Sequence, residues 1–240
     1  MLALPEPIGQ HRPMKRRFVL AALPATLIAL TGATKAKKAP PPPPLGDTVL
    51  VEMVTAQGTI VLALDHKHAP ITTENFMRYV DSGRYNGMTF YRAMHLAWGT
   101  EPNGVLQGGL NPFPAKLMKP IAHEPTTVTG LTHKAGTLSM ARNAPGTAMA
   151  DFSILLSDLT SFDANPASPD PEGRAGYAAF GHVVSGMDVV RRLYDAPRSA
   201  TKGEGFMKGQ MLDPPVKVPK VRRVAVTQSS PTGGGGSAKR

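Results

Sequence analysis

Cysteine is absent from the 240 residues of this chain. That excludes a disulfide framework, a thiol nucleophile and any cysteine-based zinc site. Aromatic residues are scarce, 6% of the chain with a single tryptophan. They form no stacking pattern of the kind that grips single-stranded nucleic acid. Long apolar runs are missing too. The one candidate, Phe18 to Ala33, spans about 16 residues, is interrupted by Pro24 and falls short of the roughly 20 a spanning helix needs.

What is present is a charge of +10, with 24 glycines and 24 prolines. Hydrophobic residues make up 41% and charged residues 18%, a balance that supports a real core. Residues 1–33 carry Arg12, Lys15, Arg16 and Arg17 against Glu6, a net +3 that leaves +7 on the remainder. The other basic clusters sit at the domain edges, Lys35 to Lys38 and Lys217 to Arg223, and read as solvated faces rather than a nucleic-acid footprint. Met14 to Phe18 supplies a basic flank for the following apolar run, the pattern of an export signal. An uncleaved anchor is the other reading of residues 1–33. Arg16-Arg17 admits twin-arginine export, and Ala33 stands where a lipidated cysteine would have to be.

The spacer 34–47 contains five consecutive prolines, Pro40 to Pro44. Such a run adopts polyproline II, a stiff spacer or a ligand for SH3-type modules. The tail 229–240 holds Gly233 to Gly236 and reads as flexible. Residues 48–228 are expected to form one domain.

Within that domain, alternation over Val49 to Val54, a Gln57-Gly58 turn and Thr59 to Leu64 predict a hairpin. Pro70 opens a helix through Phe76 and Val80 that ends near Gly83. Short strands are expected at Met88–Tyr91, Val105–Gln107, Thr137–Met140, Phe152–Leu156 and Ala178–Val184. Ser185 and Asp188 predict a capping box for a second helix, Met187–Tyr194. Val216 and Val218 are ambiguous between flanking prolines, and Arg222 to Thr227 reads as a closing strand. Many short strands with two helices point to a mainly β fold, a closed antiparallel barrel with helical plugs.

Isolated chemical groups carry little. His66-x-His68 and His123-Glu124 lack a third ligand at a diagnostic spacing, so no metal site is expected. His133 reads as a packing residue. Ser139 lacks the Gly-x-Ser-x-Gly setting of a hydrolase nucleophile.

Five ordered segments carry more. They are Ala69-Pro70-x-Thr72-x-x-Asn75-Phe76, then Tyr85-Asn86-Gly87-Met88-Thr89-Phe90-Tyr91-Arg92, then Gln107-Gly108-Gly109. Leu131-x-His133-x-x-Gly136-x-Leu138-Ser139-Met140-Ala141-Arg142 follows, and Tyr177 to Val190 closes the set. In this order, across Val49 to Thr227, the chain resembles the bacterial, exported branch of the cyclophilin-type peptidyl-prolyl cis-trans isomerases. The resemblance implies an eight-stranded antiparallel barrel capped by two α-helices. It also implies a cofactor-free enzyme, EC 5.2.1.8, that accelerates X-Pro bond rotation during protein folding.

It assigns roles as well. Arg92 and Gln107 are the catalytic pair, with Arg92 stabilising the twisted amide. Val105 and Phe162 line the proline pocket, with core packing as the other reading of both. Ala141 and Arg142 form the edge that binds substrate backbone, and Tyr177 stands where the family has His or Tyr. Departures cluster at the pocket. The family's Gln-Phe-Phe appears as Asp151-Phe152-Ser153. Ser153 removes an aromatic floor, Ser161 removes a second bulky residue, and Asp151 is free to pair with Arg92 or Arg142. The long stretch between Arg92 and Gln107 holds His95, Trp98 and Asn103, and Trp98 is expected to fold in over the lost surface. The implied partners are flexible proline-containing polypeptides, met by a periplasmic monomer whose membrane contact is confined to the N-terminal segment. The alternative is a low-activity cyclophilin-like module, or chaperone, that grips proline segments without efficient turnover.

Overall fold

A computed structural model describes residues 41–224. The expected leader 1–33, half of the spacer (34–40) and the tail 229–240 lie outside those residues. Among the described residues nine strands form one sheet, with every pairing antiparallel. In chain order they are β1 (Thr48–Thr55), β2 (Gly58–Asp65), β3 (Met88–His95), β4 (Gly104–Gly109), β5 (Thr137–Met140), β6 (Phe152–Leu155), β7 (Ala178–Ser185), β8 (Met211–Val218) and β9 (Lys220–Arg223). The spatial order is β8-β3-β4-β6-β5-β7-β2-β1-β9.

The ends of that order are consecutive in sequence. β8 pairs with β3 and β9 pairs with β1, so the last segment closes the sheet into a barrel. Eight strands were expected and nine are found because Pro219, which has no N–H to give a ladder, splits the closing strand. Val216 and Val218 do belong to a strand, opposite Phe90 and Met88. The prolines beside them are tolerated because the register jumps from Phe90↔Val216 to Arg92↔Met211, so Pro214 and Pro215 lie in a bulged stretch with no ladder partner. Of the expected closing strand, residues 225–227 lie outside the described part.

Helix α1 (Pro70–Asp81) begins at a proline, which suits a first turn whose N–H groups lack intrahelical partners. Its own N-cap residue, Ala69, offers no side chain for the task. Glu124 does it from 52 residues away. Its carboxylate accepts from Ile71 N at 3.0 Å, Thr72 N at 2.8 Å and Thr72 Oγ1 at 2.7 Å. Two short helices, α2 (Thr126–Thr129) and α3 (Pro171–Ala175), interrupt the loops and were not expected. Helix α4 spans Met187–Tyr194 as expected, yet the Ser185–Asp188 capping box does not form. Gly186 takes the N-cap at φ +88°, and a Cβ there would strike the Thr59 carbonyl. Asp188 pairs instead with Arg192, at 2.9 Å.

The barrel is filled by an aromatic cluster centred on Phe76 of α1. Its ring lies 4.8 Å from Tyr85, 5.3 Å from Phe152 and 5.6 Å from Phe180. Alternation along each strand then decides which residues face outward. Leu106, Ile154, Leu138 and Ala93 join the core, so Gln107, Ser153, Ser139 and Arg92 point to the outer wall.

Candidate active site

Ladder pairing places the outward residues in a row. Met211, Arg92, Gln107, Ser153, Ser139 and Ala179 are successive direct partners across β8, β3, β4, β6, β5 and β7. Direct partners share a face of the sheet. A second row, Met94↔Val105↔Leu155, lies alongside. There Val105, Leu155 and Leu159 are buried against each other, with Met94, Leu96 and Phe162 packed on them. This apolar patch is separate from the barrel core. Val105 and Phe162 belong to this smaller cluster rather than to the main one.

A bulge at Tyr91 sets Arg92 on the outer wall, since Phe90 opposes Gly108 and Arg92 opposes Gln107. Arg92 is 8% exposed, and its guanidinium is held on three sides. Nε donates to Gln210 Oε1 at 2.8 Å, Nη1 to Gln107 Oε1 at 2.8 Å and Nη2 to Met94 Sδ at 3.5 Å. A guanidinium has five N–H donors. Those three bonds leave two of them without a partner among the described residues. Burial, the largest influence, pulls the Arg92 pKa below its ordinary value, while Tyr91 and Tyr177 act the other way. At that ordinary value the group is a cation at neutral pH by a wide margin.

Phe162 sits on the turn Thr160–Phe162, and a chain of contacts fixes that turn to the wall. His133, fully buried, holds Asp163 Oδ1 at 2.6 Å through Nδ1 and Ser139 Oγ at 2.9 Å through Nε2. The Phe162 ring packs edge-on against His133 at 5.8 Å and tilts against Tyr177 at 5.0 Å. Desolvation, the first cause, lowers the His133 pKa against the pull of Asp163. His133 is therefore a packing residue, as its sequence setting suggested, and it also ties the Phe162 turn to Ser139.

Other expected site residues are used differently. Arg142 is a clamp rather than an open edge. Its guanidinium lies 4.8 Å over the Tyr177 ring, and it donates to Glu172 Oε2 at 2.7 Å and Gly176 O at 2.6 Å. Ala141 gives its N–H to Asp151 O at 2.9 Å. Asp151 pairs with neither arginine. Its Oδ1 accepts from Leu110 N at 2.7 Å and Asn111 N at 3.0 Å, which pins the turn after β4. Gly109 is obligatory there, because a Cβ would collide with that carboxylate oxygen. Ser153 lies in the outward row, between Gln107 and Ser139. Ser161 is exposed on its turn.

Trp98 does not fold over the pocket. It is 61% exposed, and its loop is fixed through Asn103, whose amide donates to the Trp98 carbonyl. His95 anchors the same loop by stacking on Tyr194, ring centroids 3.8 Å apart. The aromatic ring beside Arg92 is instead Phe206, 78% exposed, with the guanidinium 5.4 Å from its centroid. Gln210 fixes Phe206 by donating to its carbonyl at 2.8 Å. The sequence reading missed both, because residues 199–210 carry no periodic pattern. The histidines considered for metal are occupied otherwise. His66 bonds Gly46 O and Glu74, His68 bonds Asp65, and His123 bonds Ala175 O.

Comparison with known proteins identifies the family. Residues 50–223 match the family model described as cyclophilin type peptidyl-prolyl cis-trans isomerase/CLD. A peptidyl-prolyl cis-trans isomerase of Acinetobacter baylyi is 36% identical over 154 residues, 62% of this chain and 74% of its own. Peptidyl-prolyl cis-trans isomerase A of Dickeya dadantii is 32% identical over 184 residues, 75% of this chain and 85% of its own. The crystal structure of a cyclophilin-type isomerase of Cryptosporidium parvum superposes with a TM-score of 0.57 at 19% identity, covering 74% of this chain and 98% of that one. The chain thus belongs to the cyclophilin-type peptidyl-prolyl cis-trans isomerases, and it is an enzyme whose substrates are proline-containing polypeptides.

Proposed function

We propose that Arg92 performs the catalysis by donating a hydrogen bond to the prolyl nitrogen as the amide twists. Resonance sets a barrier of about 18–20 kcal/mol to this rotation. No bond is broken, so the task is to bind the twisted amide better than either planar one. Loss of resonance returns the lone pair to nitrogen, and a fixed guanidinium donor stabilises it. The observation that carries this reading is the Arg92 fork. Two amide oxygens, Gln107 and Gln210, orient it, and two N–H groups stay unspent beside the Val105–Leu155–Leu159–Phe162 patch. That patch receives the proline ring. Gln107 orients Arg92, and Tyr177 braces Phe162.

In a proline-limited refolding assay, Arg92→Ala is expected to lower kcat/KM by about 10²–10³-fold, the usual loss when a preorganised donor is removed. Arg92→Lys keeps the charge but not the fork and recovers only part of the rate. Equal rates for wild type and Arg92→Ala would leave the alternative, a module that grips proline segments without efficient turnover. Ser153, polar where an aromatic floor is expected, favours that alternative.

The basic and apolar leader supports export to a periplasm, where unfolded chains with X-Pro bonds are plentiful. N-terminal sequencing of the mature protein from a periplasmic extract is expected to begin near residue 34, and an intact Met1 would point to the anchored form. The site is complete within one barrel, which supports action as a monomer.

A further inference from the structure

A cleft of about 230 Å³ opens on the far side of Arg92 from Gln107. Its walls include Tyr91, Asn111, Pro112, Lys202, Met211 and Pro215. Met211 is the direct ladder partner of Arg92, so the outward row described above runs into this cleft at its β8 end. Pro112, Met211 and Pro215 make the lining largely apolar. The one formal cation on it, Lys202, is neutralised by Asp213 at 2.9 Å. Gly203 lines the cleft at φ +94°, and its segment is tied back on itself by Gly209 N, which donates to Lys202 O at 3.0 Å.

Resting on the assignment of the proline pocket above, we propose that this cleft is a second subsite, taking an apolar side chain of the same substrate polypeptide two or three residues from the X-Pro bond. The spacing follows from sheet geometry. Val105 lies on β4 and Met211 on β8, two strand steps away through β3. Two steps of about 4.8 Å span roughly 10 Å, which an extended peptide covers in about three residues at about 3.3 Å each. A leucine, methionine or phenylalanine side chain fits the volume. An acidic or basic one would lose its water with no unpaired charge to meet it.

The test uses synthetic peptides with one X-Pro bond, in which the second or third residue before or after proline is varied among Gly, Asp, Leu and Phe. At one of these positions, Leu or Phe is expected to raise kcat/KM about tenfold over Gly and Asp, and to do so through KM. Asn111→Phe, which puts a ring into the cleft from an exposed position, is expected to flatten the preference to within about twofold. Val128→Ala on α2 serves as the control and leaves it intact. Independently, the amide resonances of Asn111, Gly203 and Leu212 are expected to shift on titration with the Leu peptide. A flat series in wild type, a preference that survives Asn111→Phe, or unmoved resonances would each overturn the subsite. Absence of turnover on every peptide would instead overturn the catalytic reading.

Discussion

At the residue scale, Arg92 is held by a group that no local pattern announces. Gln210 accepts the Nε–H of Arg92, and without it only Gln107 and Met94 hold the guanidinium. Hydrogen bonds to charged groups contribute about 1.5–3 kcal/mol. Gln210→Met, close in shape and without the acceptor, should therefore lower kcat roughly tenfold or more. Gln210→Glu should restore most of it, since its carboxylate can accept the same bond. A kcat equal to wild type in Gln210→Met would remove Gln210 from the machinery.

Asp151 offers a test in which pH supplies the sign. Burial, the leading influence, raises its pKa, against bonds from Leu110 N, Asn111 N and Tyr91 that lower it. A raised value means the folded state binds the proton more tightly than the unfolded chain does. The contribution to stability is thus present below the unfolded carboxyl range, near pH 3.9, and is lost as pH rises through the folded value. Asp151→Asn keeps an Oδ1 acceptor for both backbone N–H groups and carries no charge. Its stability relative to wild type should therefore increase from about pH 3 to about pH 7. Urea titrations at the two ends measure this, and a constant difference would refute it.

At the scale of elements, α1 shows how far a local rule reaches. Pro70 marks the start of the helix correctly, but the groups that satisfy its first turn come from Glu124. Glu124→Ala leaves two N–H groups and a buried hydroxyl without their acceptor. A loss of about 2 kcal/mol or more is expected, read as a shift in the urea midpoint with an unchanged slope. The same limit explains α4. Ser185 and Asp188 have the right spacing for a capping box, but the close approach of Gly186 to the Thr59 carbonyl imposes a left-handed N-cap. Strand interiors were legible because alternation is dictated by the burial of one face. Their ends were not, and β3 continues to His95, four residues past Tyr91, because pairing with β4 sustains it.

At the scale of the molecule, barrel closure is the feature most exposed to test. β9 supplies Val221, buried against the core and opposite Met53 of β1. Val221→Ala should cost about 2 kcal/mol or more, since a buried aliphatic is cut back and a cavity left. Val128→Ala, at a position 76% exposed, should stay within about 0.5 kcal/mol. Comparable losses at both sites would mean that the closing strand contributes little.

What the amino-acid sequence determined by itself is the family, the mainly β barrel, the two principal helices and the pair Arg92 and Gln107. These follow from contiguous patterns, in which strand alternation, Pro70 and the segments around Arg92 and Gln107 each lie within a few residues. Only the tertiary structure decided what lies across the barrel. It set Gln210 against Arg92 over 118 residues and Phe206 beside the guanidinium. It turned Asp151 to the backbone instead of an arginine, used Arg142 as a clamp, and left Trp98 in solvent. The reason is physical. A hydrogen bond or ring contact between distant residues depends on which strands become neighbours and in what register, and closing the sheet through β8 and β9 fixes that register.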